Sequence, residues 1–283
     1  IMATLKERRA QQNRIAIFGF LAISIVISGF ALLYWQNSDV ARDQNNCPLS
    51  GPQAFTAIIL DQSERYSANH IQAVKALFDQ WLKGNFTGLH KEFNEKAFST
   101  DAKLELFVMK NSEINSIEGV KPVLSKCIGL RPENVSTTQS IFVNSEFLSE
   151  DLEEIVATFD EEITQQMNSP NNPTTATSPL MEMIVSVSNS SFLKNDASKP
   201  HYMIVVSDMI QESREFSHRR NSTDFKVWEE SFRHVRGDLK ESKVQLIYLN
   251  RNDDKTTQNR KHVIFWEDFF DYLNARIVAV ISR

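Results

Sequence analysis

The pattern of hydrophobic and polar positions divides the chain into one long apolar run and a series of shorter segments. The long run begins at Ile15 and ends at Trp35, and it contains no charged residue. As a helix it would be about 30 Å long, which matches the hydrocarbon core of a bilayer. We therefore expect a tail at 1–14, a transmembrane helix at 15–35, a linker at 36–52 and a domain at 53–283.

The charges around this run predict its orientation. Basic residues precede it at Lys6, Arg8, Arg9 and Arg14, and no positive excess follows it. Since basic residues stay on the cytoplasmic side, the N-terminus should be cytoplasmic and the domain periplasmic, on a single-pass protein of a bacterial inner membrane. A cleaved signal peptide would have a shorter apolar region, of about 7–15 residues, and a small-residue cleavage site. This run instead ends in Tyr34 and Trp35, which suit the membrane interface.

The rest of the chain alternates between strand-like and helix-like segments. Short apolar runs predict buried strands at 55–60, 104–109, 202–206 and 244–249. Between and after them, helical stripes of apolar residues occupy 69–82, 152–167, 179–192, 225–239 and 266–280. This alternation predicts an α/β fold, a Rossmann-like and mostly parallel sheet with helices on both faces.

Composition narrows the partners and the compartment. The net charge of −5, without a dense basic stripe, argues against nucleic acid as a partner. The two cysteines, Cys47 and Cys127, precede the first predicted strand and follow the second. In an exported domain they are expected to form a disulfide. The alternative is a pair of unrelated buried thiols.

Oxygen-bearing side chains follow two of the predicted strands. Asp61 and Ser63 come directly after the first strand, and Asp208 follows the third. Ser178 is positioned to cap the helix that starts at Pro179. Parallel strands bring their carboxyl ends to one edge of the sheet, where α/β proteins bind ligands. An all-oxygen site of this kind favours Mg²⁺.

In these positions the chain resembles the von Willebrand factor A family. That family has a metal-ion-dependent adhesion site that reads Asp-x-Ser-x-Ser after the first strand, with a threonine in a middle loop and a later aspartate. Asp61 and Ser63 match the first two positions, Ser178 matches the threonine, and Asp208 matches the late aspartate. The resemblance implies a non-enzymatic interaction domain that binds Mg²⁺, whose coordination an acidic side chain of a protein partner completes. Such a partner would lie at or outside the membrane, in an envelope assembly. An oligomer of the chain is also compatible with this interpretation.

The chain also departs from the family pattern, which leaves other interpretations open. Arg65 stands where the family has its second serine, and Met209 stands where a glycine is usual. One alternative is a metal-free scaffold subunit, in which Asp61 and Asp208 cap loops and pair with Arg65. Another is a Mg²⁺-dependent phosphohydrolase, but that chemistry needs a second acid where this chain has Ser63. The six histidines are scattered, and none lies beside a serine or cysteine at a recognisable turn.

Overall fold

A six-stranded, mostly parallel sheet lies between two layers of helices. The computed structural model describes residues 5–37, 41–63, 65–94, 96–109, 119–135, 144–169, 177–194, 196, 198–220, 223–231, 236–251 and 255–283. The strands are β1 (Ala54–Asp61), β2 (Ala102–Met109), β3 (Leu124–Cys127), β4 (His201–Ser207), β5 (Ser242–Tyr248) and β6 (Ala275–Ser282). The helices are α1 (Leu5–Asn37), α2 (Ala68–Leu82), α3 (Lys91–Asn94), α4 (Ser145–Asn168), α5 (Leu180–Ser188), α6 (Ser191–Lys194), α7 (Phe225–Ser231) and α8 (Arg260–Tyr272).

The strand order is β3-β2-β1-β4-β5-β6, with β3 alone antiparallel to its neighbour. The chain builds the sheet outward from β1 through β2 to β3, then returns to the other side of β1 with β4. This order is that of a doubly wound sheet, in which the direction of winding reverses between β1 and β4. The predicted α/β class is therefore confirmed.

Both faces of the sheet are covered, which explains the continuous apolar runs of the central strands. Ile58 and Leu60 of β1 pack into a core with α2 and α4, where Phe78 and Phe159 are fully buried. Ala57, Ile59 and their neighbours pack on the opposite face. Side chains from α5, α6, α7 and α8 complete that second core: Leu180, Ile184, Phe192, Trp228, Phe265, Trp266 and Phe269.

Two strands were not predicted, and one predicted helix was too long. Ile277 and Val280 were expected in the closing helix, but they lie in β6. The helix α8 ends at Tyr272, and Asn274 adopts a positive φ of 56° that turns the chain away from the helical path. The β-branched residues that follow suit a strand. The short β3 has only a four-residue pattern, too brief for its period to be recognised.

Two other helix predictions need correction. The helix expected at 179–192 is divided into α5 and α6, and Pro179 rather than Ser178 occupies the position before its first residue. Within its described residues, the stripe at 225–239 is helical over α7. Its positions Phe232 and Val235 lie outside the described residues, and Leu239 is buried in a non-helical segment before β5.

The N-terminal helix α1 contains the long apolar run, and its apolar side chains are exposed. Phe18, Phe20 and Ile25 are 71%, 73% and 70% exposed, respectively. Over the described part of the chain, none of the helices meets the combined length and hydropathy that a membrane span requires.

Residues 41–49 form a clamp on the edge of the sheet where β1 begins. Cys47 and Cys127 lie at disulfide distance, with Cα atoms 4.8 Å apart and a sequence separation of 80, as the pair of cysteines predicted. Arg42 Nη2 donates to Asp101 Oδ1 over 2.7 Å, just before β2. The backbone N–H of Cys127 donates to the Asn45 carbonyl over 2.9 Å. We call residues 41–49 the N-terminal clamp.

Candidate functional site

The candidate site lies where β1 and β4 end side by side, at the reversal point of the sheet. Asp61 is the last residue of β1, and Asp208 follows the last residue of β4. Their strands pair directly, with Leu60 opposite Val206. The side chains are 4% and 3% exposed, respectively, so both carboxylates are buried beneath the loops of this edge.

Asp61 is surrounded by hydrogen-bond donors. Its Oδ1 accepts from the backbone N–H of Ser63 over 2.8 Å. Its Oδ2 accepts from Ser207 Oγ over 2.6 Å and from Ser178 Oγ over 3.3 Å. Burial raises the pKa of the Asp61 carboxyl, and the hydrogen bonds from Ser207, Ser63 and Ser178 oppose that rise.

Ser178 reaches the site from the middle loop, but it does not cap α5. Its hydroxyl donates to Asp61 instead, and Gln211 Oε1 accepts from the Met181 N–H in the first turn of the helix over 2.9 Å. Ser178 also forms an antiparallel bridge with Glu212, whose N–H donates to the Ser178 carbonyl over 2.9 Å. Glu212 bridges in turn to Ser217. The loop after β4 therefore fixes the middle loop over the end of β1.

Asp208 faces an arginine that the sequence did not assign to the site. Its Oδ1 accepts from the Ile210 N–H over 3.0 Å, and its Oδ2 lies 3.2 Å from Arg251 Nε. Arg251 follows β5 after two residues, and its Nη1 donates to the backbone carbonyl of Arg65 over 2.7 Å. The Arg65 side chain is exposed. The metal-free alternative paired the aspartates with Arg65, whereas in the described structure Arg251 is the arginine that pairs with Asp208.

Sequence reasoning missed Ser207 and Arg251 for different reasons. Ser207 directly follows the predicted strand 202–206, but nothing in the sequence indicates that its hydroxyl donates to Asp61. Arg251 could have been found by applying to the fourth predicted strand the strand-end rule that identified Asp61 and Asp208. Its pairing with Asp208 across 43 residues, however, needs the strand order.

These residues fit a divalent cation poorly. A guanidinium occupies one side of Asp208, and each oxygen of Asp61 and Asp208 already accepts a hydrogen bond. Within the described ranges there is also no group of three His, Cys, Asp or Glu side chains that could hold a metal ion. Mg²⁺ needs near-octahedral oxygen ligands, so a nearby positive charge disfavours it.

The geometry of Asp61 does not support a role as the nucleophile of a phosphoryl transfer. A nucleophilic aspartate must approach a substrate phosphorus, but Asp61 is buried and accepts from two hydroxyl groups and one N–H. Tyr66 closes the same region, since its hydroxyl donates to the Asp61 carbonyl. Burial raises the pKa of Tyr66 well above its ordinary value, and the charges of Asp61 and Asp208 add to that rise.

A second polar cluster lies next to the site, where two of the scattered histidines come together. His262 Nε2 is 2.9 Å from His218 Nδ1, and Tyr248 Oη is 2.6 Å from His262 Nδ1. His218 Nδ1 also accepts from the backbone N–H of Gln211 over 3.1 Å. This cluster joins the loop after β4, the end of β5 and helix α8. It contains no serine or cysteine nucleophile.

Comparison with known proteins gave no match to the sequence. No protein-family model matches the chain, and no curated protein matches it in sequence.

Proposed function

We propose that this chain is a single-pass membrane protein that presents a von Willebrand factor A-like interaction domain outside the cytoplasm, as a scaffold subunit of a membrane-associated assembly. The strand order and the position of Asp61 and Asp208 on either side of the reversal point support the domain type. Each carboxylate oxygen of Asp61 and Asp208 already accepts a hydrogen bond from the protein, which favours the scaffold form over the metal-binding form.

The membrane anchor is supported by the sequence run and by the surface of α1. The run at 15–35 carries no charge. Within this run, the structure describes the side chains of residues 16–32. Large apolar side chains around α1 are exposed. A soluble helix would bury one stripe and expose polar residues elsewhere, whereas a bilayer covers a helix that is apolar all round.

The observation that carries the proposal is the distance between the N-terminal clamp and the candidate site. Only residues 38–40 separate α1 from the N-terminal clamp. The Cα atoms of Asn37 and Ala41 are therefore at most about 14 Å apart. The clamp holds the edge of the sheet where β1 begins, and Asp61 lies at the other end of β1, about 23 Å away. An anchored domain would therefore point its candidate site away from the membrane, toward a protein partner.

The cysteine pair supports the proposed compartment. Disulfides persist in oxidising compartments such as the bacterial periplasm. Cys47 and Cys127 lie at bonding distance, and no free cysteine is described. Together with the basic residues before the run, this supports a periplasmic domain.

Reporter fusions test the topology. A reporter active only in the periplasm, fused after Arg283, should be active, and one that fluoresces only in the cytoplasm should be dark. The matched control deletes 15–35, which should reverse both results and release the protein from the membrane fraction. A cytoplasmic signal from the intact chain would overturn the proposal.

Site-directed photocrosslinking tests the direction of the domain. A photoreactive amino acid at exposed Arg65, beside the candidate site, should give protein adducts in intact membranes. The same amino acid at Leu49, which is exposed in the clamp, should give lipid adducts instead. Protein adducts from Leu49 alone would contradict the proposed orientation.

A further inference from the structure

Arg251 ties together the ends of three strands. It lies on the loop after β5, its Nε pairs with Asp208 after β4, and its Nη1 donates to the Arg65 carbonyl after β1. The separations are 3.2 Å to Asp208 Oδ2 and 2.7 Å to Arg65 O. A divalent cation held by Asp61 and Asp208 would likewise connect the loops after β1 and β4.

Gln258 holds the Arg251 loop in position. Its Oε1 accepts from the Arg251 N–H over 2.7 Å. Its Nε2 donates to the carbonyls of Asp208 and Leu249, over 3.0 and 2.9 Å. The backbone that carries Arg251 is therefore fixed to the backbone that carries Asp208, and the guanidinium loses little further freedom when it pairs.

The charges of Arg251 and the two aspartates act on one small region. Asp61 and Asp208 both raise the pKa of Tyr66, and Arg251 lowers it. The guanidinium is largely buried, with 17% of the side chain exposed. In such surroundings charges interact more strongly than in water, so the positive charge of Arg251 beside Asp208 strongly disfavours a second cation there.

We propose that Arg251 is a built-in replacement for the divalent cation of this site, so that the loops after β1 and β4 are joined without metal. The proposal rests on the proposed interaction domain only in one respect, that partner binding should be independent of divalent cations. Its central claim concerns the chain alone: the positive charge of Arg251 excludes a cation from the oxygens of Asp61, Ser178 and Asp208.

Calorimetric titration with Mn²⁺ of the purified, detergent-solubilised full chain tests this claim. The wild type should bind no Mn²⁺ at the site. Arg251→Gln should gain a site for Mn²⁺ at least about tenfold tighter than any wild-type binding, because one positive charge is removed a few ångströms away. The double variant with Asp61→Asn should lose that gain.

Three controls make the result specific. Arg251→Lys keeps the charge and should gain no site, and Arg65→Gln removes an exposed arginine nearby and should behave as the wild type. If circular dichroism shows that Arg251→Gln does not fold, the titration uses Arg251→Met instead, since this variant keeps an apolar stem without the charge.

Two outcomes would overturn the proposal: Mn²⁺ binding by the wild type that Asp61→Asn abolishes, or a folded Arg251 variant without charge that gains no Mn²⁺ site. Neither outcome affects the reporter fusions, so a failure here is distinguishable from a failure of the proposed topology.

Discussion

His262 donates a hydrogen bond to His218 within the core. The backbone N–H of Gln211 points to His218 Nδ1, so this nitrogen is an acceptor and the His262 Nε2 that lies 2.9 Å away carries the proton. His262 Nδ1 lies 2.6 Å from the Tyr248 hydroxyl. Trp266 Nε1, which lies 3.3 Å from His262 Nε2, donates to the closer Met209 carbonyl over 2.8 Å. Because His218 Nδ1 is an acceptor, this arrangement requires the His218 ring to be neutral.

This pair predicts a loss of stability in acid. Burial lowers the pKa of His218 well below 6.5, and neighbouring His262 adds to the effect. The unfolded chain therefore binds a proton more readily than the folded chain, so stability falls as the pH drops below about 6.5, by up to about 1.4 kcal/mol per pH unit. His218→Phe should flatten this slope between pH 7 and pH 5 in urea unfolding. A slope equal to that of the wild type would contradict the assignment.

Asp61 predicts a pH dependence of the opposite sign at a neighbouring group. Burial raises its pKa above 3.8, so its contribution is most favourable in acid and is lost as the pH rises through the folded pKa. Asp61→Asn cannot ionise. The stability of this variant relative to the wild type should therefore improve with rising pH above about 4, by up to about 1.4 kcal/mol per unit. Unfolding curves at several pH values measure the trend, and an opposite trend would show a carboxylate stabilised by its surroundings.

The two serine hydroxyls that donate to Asp61 should differ in their contribution to the free energy of unfolding. Ser207 Oγ donates to Asp61 over 2.6 Å and accepts from the Met209 N–H over 2.7 Å, whereas Ser178 Oγ is 3.3 Å from the same carboxylate oxygen. Ser207→Ala should cost about 1–3 kcal/mol at neutral pH, because it leaves a buried carboxylate and an N–H short of partners. Ser178→Ala is the matched control and should cost less. Equal losses in chemical denaturation would refute this ranking.

The cysteine pair predicts a redox-dependent stability. The bond closes a loop between Cys47 and Cys127, which have a sequence separation of 80, so its removal should lower the free energy of unfolding by about 2–5 kcal/mol. Cys47→Ser with Cys127→Ser should unfold at the same denaturant concentration as the reduced wild type. Mass analysis of the full chain purified from membranes should find no free thiol. Two free thiols would count against both the bond and the compartment.

The sequence by itself determined the central strands and the location of the two aspartates. An apolar run such as 55–60 has few solvent-compatible positions, so it must be buried on both faces, and this alone indicates a parallel sheet between helices. Asp61 and Asp208 follow such runs directly, which fixes them at the carboxyl edge wherever the strands lie. The cysteine pair likewise needed only a count and the predicted export.

Only the tertiary structure decided which groups meet. Ser178 reads as a helix cap in sequence, but it bonds to Asp61 because a bridge to Glu212 brings the middle loop over β1. Arg251 meets Asp208, and His262 meets His218, only because β5 and α8 return beside β4. Periodicity records whether a residue is buried, a property of its own segment. The partner of a buried charge depends on strand order, and strand order is set by the packing of distant segments.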